Sequence, residues 1–273
     1  FLTDYHVHCD YSADSTTPLR VQLEAARAAG VVQLCFTDHV DFDDSGLPPA
    51  DLAARDAAIE ALRADFPDIA IRRGAEISLK NEAVAAATLA YCKGRDLDFV
   101  IASLHIVDGV DAYYPEFFEG RTQAENYARY LDFAAKVLPT NPIFSVLGHY
   151  DFCAKFAPYA ERSVRYAHAA DAFDSLFRYL VQAGKGLEIN TSAWWDGPAW
   201  GHPTMRRWDG PAWGLDVLRR YRELGGEFIT TGSDAHQSDR VGKRLGEALE
   251  LARAAGIPYV ATFERMEPTF HKL

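Results

Sequence analysis

Two short strings carry the residue types best able to do chemistry: Asp4-Tyr5-His6-Val7-His8, and Ser233-Asp234-Ala235-His236 near the other end. In an extended strand, residues two apart point to the same side. His6 and His8 then share a face, as do Asp234 and His236. Two imidazoles held that way chelate a metal, and a carboxylate with an imidazole can close the ligand set from across a barrel. Similar groups recur in between, as Asp14, Thr37-Asp38-His39, Gly74-Ala75-Glu76, Ser103-Leu104-His105, Gly148-His149-Tyr150-Asp151 and Glu188-Ile189-Asn190. Imidazole and carboxylate without obligatory thiolate suit zinc, iron or manganese rather than calcium. His6, His8, Asp14, His39, Glu76, His105, His149, Asp234 and His236 outnumber the roughly four ligands of one catalytic zinc, so two to three divalent ions are expected.

The elements that must position these groups are apolar, strand-like runs at 2–8, 31–38, 70–77, 98–104, 143–148, 186–190 and 227–231, with a further short run at 259–263. Short β-rich runs ending in polar residues suit a parallel sheet buried on both faces. Helical stretches with stop signals alternate with them. Thr17 can cap a helix that has Pro18 at its first position and Gly30 at its close. Others run 51–66, 121–138, 163–183 and 239–255, each followed by Pro or Gly. Repeated strand–helix alternation implies a (β/α) barrel or a doubly wound sheet, and no linker suggests a second domain. Six of the nine histidines fall at strand C-terminal ends, the face where barrel enzymes build active sites. A shared metal-binding role explains that placement better than six separate structural histidines.

The 273 residues include 28 basic and 39 acidic side chains, a net charge of −11, which argues against nucleic acid as the main partner. A phosphate-bearing ligand is compatible only if bound cations reverse the field locally. The sequence has no apolar run fit to span a membrane and no signal-peptide pattern, and Cys9, Cys35, Cys92 and Cys153 lack CxxC spacing. A cytoplasmic protein with reduced, buried thiols is expected. The string WDGPAWG occurs at 195–201 and again at 208–214, and all five tryptophans lie within 194–213. That segment reads either as an aromatic lid or wall over a substrate, or as a loop packing its own rings or a subunit contact. His168 and His271 read as surface or structural residues, and His202 lies in the tryptophan-rich loop.

In this order, HxH, TDH, GxE, SxH, GHxD and SDAH resemble the PHP (polymerase and histidinol phosphatase) superfamily. The longer strings at 4–8 with 12–15, 99–105, 186–192 and 225–236 resemble its histidinol-phosphatase branch, and the similarity covers essentially the whole chain. The resemblance implies a distorted (β/α)7, TIM-like barrel as a single domain with a trinuclear metal centre. By that similarity His6, His8, Glu76 and Asp234 hold one ion, Glu76 bridges to a second held by His105 and His149, and Asp14, His39 and His236 hold a third. Asp38 and Asp151 are expected to orient imidazoles, and Asn190 to orient water or substrate or to satisfy backbone groups.

The activity implied is hydrolysis of a phosphomonoester, L-histidinol phosphate before others, as a step of histidine biosynthesis. Hydroxide bridging the ions that share Glu76 would attack phosphorus, with Glu76, Asp234 and His236 nearest the chemistry. One departure bears on substrate. The family often has a basic residue after the Asn190-Thr191-Ser192 string, whereas here Ala193, Trp194 and Trp195 follow. Arg206 and Arg207, or Lys155 and Arg162, are candidates to grip phosphate, or else solvated charges. Rival readings are a phosphoesterase for a cyclic or sugar phosphate, and a non-catalytic module serving a polymerase. The amidohydrolase class also opens with HxH, but typically needs a lysine or equivalent bridge where this chain has Ser103-Leu104-His105.

Overall fold

Runs such as Phe99-Val-Ile-Ala-Ser103 and Gly186-Leu-Glu-Ile-Asn190 are buried along their whole length, as expected of parallel strands covered on both faces. The computed structural model describes residues 1–43, 45–141, 143–194 and 210–273. Its first half runs β1 (Thr3–Val7), α1 (Leu19–Ala28), β2 (Gln33–Phe36), β3 (His39–Val40), α2 (Leu52–Leu62), β4 (Ala70–Ser78), α3 (Glu82–Cys92) and β5 (Phe99–Ser103). A hairpin of β6 (Ile106–Val107) and β7 (Val110–Asp111) leads to α4 (Gln123–Val137), β8 (Val146–Leu147), α5 (Phe152–Phe156), α6 (Ala170–Gln182) and β9 (Gly186–Asn190). The chain ends with α7 (Leu215–Glu223), β10 (Phe228–Gly232), α8 (Leu245–Ala254) and a hairpin of β11 (Tyr259–Glu264) and β12 (Glu267–Lys272).

Among the described residues, seven parallel strands follow one another in chain order, β1-β2-β4-β5-β8-β9-β10, with β3 beside the upper part of β4. This is the distorted (β/α)7 barrel. Its seam lies between β10 and β1 and is held without a regular ladder. One parallel bridge, Val7↔Ala235, is supported by Asp234 N–H to the His6 carbonyl (2.7 Å) and His8 N–H to the Ala235 carbonyl (2.9 Å). The buried Asp4 carboxylate adds bonds from Ser233 N–H (2.9 Å), Ser233 Oγ (2.6 Å) and Gly242 N–H (2.9 Å). Below the seam β11 pairs with the start of β10 instead, and carries Ala261 and Phe263 into a cluster with Tyr5, Cys35, Phe99, Ile101, Val146 and Phe228. That cluster fills the N-terminal half of the barrel and leaves the C-terminal mouth to polar residues.

The first strand breaks strict alternation. Asp4 pairs with Leu34 and Val7 with Phe36, so three steps on β1 oppose two on β2. The extra residue of this bulge lets Tyr5 join the apolar plug while the neighbouring His6 faces the polar mouth.

Helix ends follow local chemistry, with some departures from expectation. Asp51 caps α2 through Ala54 N–H (3.1 Å), and Thr122 with Glu125 forms a capping box on α4. Thr17 does not cap α1; Pro18 stands at that position, and the Thr17 hydroxyl donates to the His236 carbonyl (2.8 Å). The helix read from residue 163 begins only at Ala170, because Val164 forms a bridge with Trp213. Likewise α8 begins after Arg244, whose left-handed φ of 55° interrupts the run read from residue 239. All four cysteines are buried thiols. No helix among the described residues is long and apolar enough to cross a membrane.

Candidate metal centre

Most barrel strands or their following turns deliver candidate ligands to the mouth. β1 and its exit supply His6 and His8, the next turn Asp14, β3 His39, β4 Glu76, the β5 exit His105, the β8 exit His149, and the β10 exit Asp234 and His236. All but Asp14 and His105 are less than a tenth exposed. Asp234 does not sit in extended strand as its spacing suggested. Its φ of 53° places it in the left-handed region just past β10, a conformation Asp tolerates better than most residues and one that recurs at functional sites.

The nine residues converge. His6 Nε2 lies 3.1 Å from Glu76 Oε2 and 3.5 Å from Asp234 Oδ1, and His8 Nε2 lies 3.3 and 3.5 Å from the same two oxygens. The other oxygen of Glu76 faces His105 Nε2 (3.4 Å) and His149 Nε2 (2.8 Å). Asp14 Oδ2 faces His39 Nε2 (3.2 Å) and His236 Nε2 (2.9 Å). Thus Glu76 turns one oxygen to each of two histidine pairs, and Asp14 gathers a third.

These distances bear on what fits between the groups. Donors about 2.0–2.2 Å from a tetrahedral ion stand roughly 3.3–3.5 Å apart, longer than the hydrogen-bond mode of about 2.9 Å. Most of the pairs around Glu76 Oε2 and Asp234 Oδ1 fall in the longer range. His8 Nε2 is fully buried and has no hydrogen-bond partner among the described residues, although it faces two carboxylate oxygens. A buried donor atom so placed costs stability unless a cation or a water completes it. The donor set therefore fits divalent cations, with His6, His8, Glu76 and Asp234; Glu76, His105 and His149; and His8, Asp14, His39 and His236 as candidate groups.

Electrostatics agree. Burial opposes the charge of Glu76, but His6, His39, His105 and His149 together hold its carboxyl well below the usual range. Asp234 is held down against burial by Lys155 and His6. Burial also opposes a proton on His105, yet Glu76 and Asp41 raise its pKa to about 9. Neighbouring carboxylates thus favour a proton on His6, His8, His39 and His105, whereas burial lowers His149 and His236; cation binding would displace such protons and be favoured by rising pH.

Some expected roles change hands. Among the described residues Asp38 touches no imidazole: it accepts from Cys9 N–H (2.8 Å) and the fully buried Arg55 guanidinium (3.2 Å). Asp151 is buried near Lys155, and burial raises its carboxyl to about 6; no imidazole contact is seen for it among the described residues. Glu188 does the orienting instead. Its Oε1 lies 2.6 Å from His6 Nδ1 and its Oε2 accepts His149 N–H at 2.8 Å, so one carboxylate fixes candidate ligands from two strands. The signal was in the sequence: an acidic residue between Leu187 and Ile189 in a buried strand needs a partner. Asp41 was also missed, two residues after His39 as in the HxH string; its Oδ2 lies 3.0 Å from His39 Nδ1.

Asn190 sits against this pair, with Nδ2 3.3 Å from Glu188 Oε2 and Oδ1 accepting from Ser192 N–H (2.9 Å) and Oγ (2.6 Å). Lys155 is buried and donates to Asp234 Oδ2 (2.8 Å), which also lies 3.0 Å from Ser192 Oγ. Arg162 donates to the Lys155 carbonyl (2.6 Å), so it braces the segment carrying Lys155. Arg206, Arg207, His202 and most of the duplicated segment lie outside the described residues. Trp194 and Trp213 are buried with ring centroids 6.2 Å apart, and so pack in the core at that segment's edges. His168 accepts Arg165 N–H, and His271 pairs with Thr262 on the terminal hairpin.

A cavity of about 410 Å3 opens onto the centre, lined by Asp14, His39, Glu76, His105, His149, Lys155, Asp234 and His236 and, further out, by aromatic and acidic residues. Residues 4–192 match the PHP domain family, and the chain belongs to it. It is 30% identical to the histidinol-phosphatase of Lactococcus lactis over 271 residues, 97% of this chain and 95% of the relative. It is 28% identical to a probable histidinol-phosphatase of Deinococcus radiodurans, over 93% of this chain and 94% of that one. The crystal structure of histidinol phosphate phosphatase from Lactococcus lactis, complexed with zinc, L-histidinol and phosphate, matches with a TM-score of 0.85, covering 98% of each chain.

Proposed function

We propose that this chain is a metal-dependent phosphomonoesterase that converts L-histidinol phosphate to L-histidinol and inorganic phosphate. The observation that carries the reading is Glu76, whose two oxygens each face a separate pair of histidines at the base of an open cavity. The near-complete coverage of a relative complexed with histidinol, phosphate and zinc supports the choice of substrate.

Two to three divalent ions, of zinc, iron or manganese chemistry, would be held by His6, His8, Glu76 and Asp234, by Glu76, His105 and His149, and by Asp14, His39 and His236. Bound there, they supply Lewis-acid charge to phosphoryl oxygens and make water nucleophilic at neutral pH. The protein's own residues do the rest. Glu188 holds the Nδ1 side of His6, so that Nε2 turns towards Glu76 and Asp234, where an ion would sit. Lys155 keeps Asp234 turned by occupying its second oxygen, and presents an ammonium to an entering phosphate dianion. Burial of these groups keeps their charges poorly screened, which is how a protein of net charge −11 draws in an anion.

The test is phosphate release from L-histidinol phosphate beside a panel of sugar and cyclic phosphates, with metal content measured on the same sample. Preference for L-histidinol phosphate by an ion-loaded protein is expected. Equal or faster turnover of another ester would overturn the substrate, and full turnover by a verified metal-free sample would overturn the mechanism.

A further inference from the structure

A cation with no solvent-exposed surface stands in the middle of α2. Arg55 is fully buried, and a buried guanidinium is costly unless every face of it is paired. Its Nη1 donates to the Gly74 carbonyl (2.8 Å), Asp38 Oδ2 (3.2 Å) and the Phe36 carbonyl (3.3 Å). Nε and Nη2 donate to Asp56 Oδ1, at 3.0 and 2.8 Å. These acceptors mark a lapse in strand pairing. β4 pairs with β2 up to Phe36↔Arg73 and resumes with β3 at His39↔Glu76 in an unchanged register. Arg55 reaches the gap between them, where Asp38 faces the Gly74–Ala75 stretch.

Each group it meets adjoins a candidate ligand. Asp38 precedes His39, and its Oδ1 accepts the N–H of Cys9, the residue after His8, at 2.8 Å. Gly74 stands two residues before Glu76, whose own N–H donates to the Thr37 carbonyl (3.1 Å). The His8 and His39 rings stack with centroids 4.6 Å apart. Arg55 and Asp38 thus join β1, β2 and β4 directly behind the points where His8, His39 and Glu76 leave for the mouth. The group of His8, Asp14, His39 and His236 depends on this most, because it draws on both His8 and His39. A buried ion pair is weak as a net stabiliser, since apolar side chains of similar volume often replace one without loss. A planar fork that spans several fixed acceptors does set geometry.

We propose that Arg55 is a positioning residue for the metal centre: acting through Asp38 and the Phe36 and Gly74 carbonyls, it fixes the spacing of His8 from His39 and so governs the cation held with Asp14 and His236. This rests on the metal-dependent reading and adds a residue that lies outside the barrel mouth.

Arg55→Lys keeps the charge but has no fork to span the same acceptors. One zinc equivalent should bind about tenfold more weakly, at the low end for loss of an outer partner, while the others hold. Competition with a chromophoric chelator reads this without any turnover. Asp38→Asn keeps the side-chain shape and the acceptor for Cys9 N–H, and should give the same loss; it decides the matter if Arg55→Lys does not fold. Ile59→Ala, on the same helix, is the control. It empties a fully buried apolar position without removing any of these bonds, so it should lower the unfolding temperature yet leave every zinc affinity within twofold. Zinc affinities within twofold of the unaltered protein's in a folded Arg55→Lys or Asp38→Asn would overturn the proposal. So would an equal loss of zinc in Ile59→Ala, which would trace the effect to stability alone. Either result leaves the metal-dependent reading standing, whereas an unaltered protein that binds no zinc would remove both.

Discussion

Replacing Glu188 by Gln tests how the centre is held together rather than what it contains. Glu188 is 1% exposed and reaches a fully buried His6 at 2.6 Å, the length of a charge-assisted bond. Gln keeps the shape but removes the charge, and can turn an amide N–H₂ towards Nδ1, which favours the tautomer that protonates Nε2. Loss of such an outer partner typically costs about 10–100-fold in metal affinity, or roughly 1.4–2.8 kcal/mol at 1.4 kcal/mol per tenfold. The Ala variant should do worse. It also leaves His149 N–H buried and unpaired, at a further cost of about 1–3 kcal/mol in folding stability. Zinc affinity from competition with a chromophoric chelator, alongside thermal unfolding with and without zinc, separates the two effects. Gly232→Ala approaches the same contact from the opposite side, because a Cβ there would overlap both Glu188 Oε1 and the His6 Cβ. Zinc affinity within twofold of the unaltered protein in both Glu188→Gln and Gly232→Ala would refute the reasoning.

Exhaustive chelation should abolish turnover and return of zinc or manganese should restore it, read as phosphate release. Glu76→Gln should lose at least one equivalent of metal by elemental analysis; full occupancy would contradict an oxygen for each histidine pair. Lys155→Met should weaken inhibition by inorganic phosphate about tenfold while folding is retained, since it removes one charge-assisted contact; unchanged inhibition would remove Lys155 from phosphate binding. Away from the site, the paired bonds of Arg220 hold the Asp174 carboxyl down at about 2. Because the folded pKa lies below the unfolded value of about 3.9, the stabilisation is full above that value and fades as pH falls towards 2. The stability difference between the protein and Asp174→Asn should shrink over that interval in denaturant titrations, and a constant difference would argue against it.

The candidate ligand types were legible because their cause is local. A strand that ends in a polar residue at a barrel mouth exposes that residue to the same space as its neighbours, so His39, Glu76, His105, His149 and His236 could be picked out one strand at a time. The seven strands themselves were legible for the same reason, as apolar runs ending in polar residues and separated by helical stretches closed by Pro or Gly. Tertiary structure decided what depends on two distant segments at once. It brought Glu188 rather than Asp38 or Asp151 to His6, because Arg55 on α2 draws the Asp38 carboxylate away. It turned Thr17 from a helix cap into a support for the His236 loop, and gave Lys155 to Asp234. It also inserted the bulge that lets Tyr5 and His6, neighbours in sequence, serve the apolar plug and the polar mouth together. Periodicity reports which face a residue takes within its own element; which carboxylate meets which imidazole is set by strand register across the barrel, and no stretch of sequence contains that.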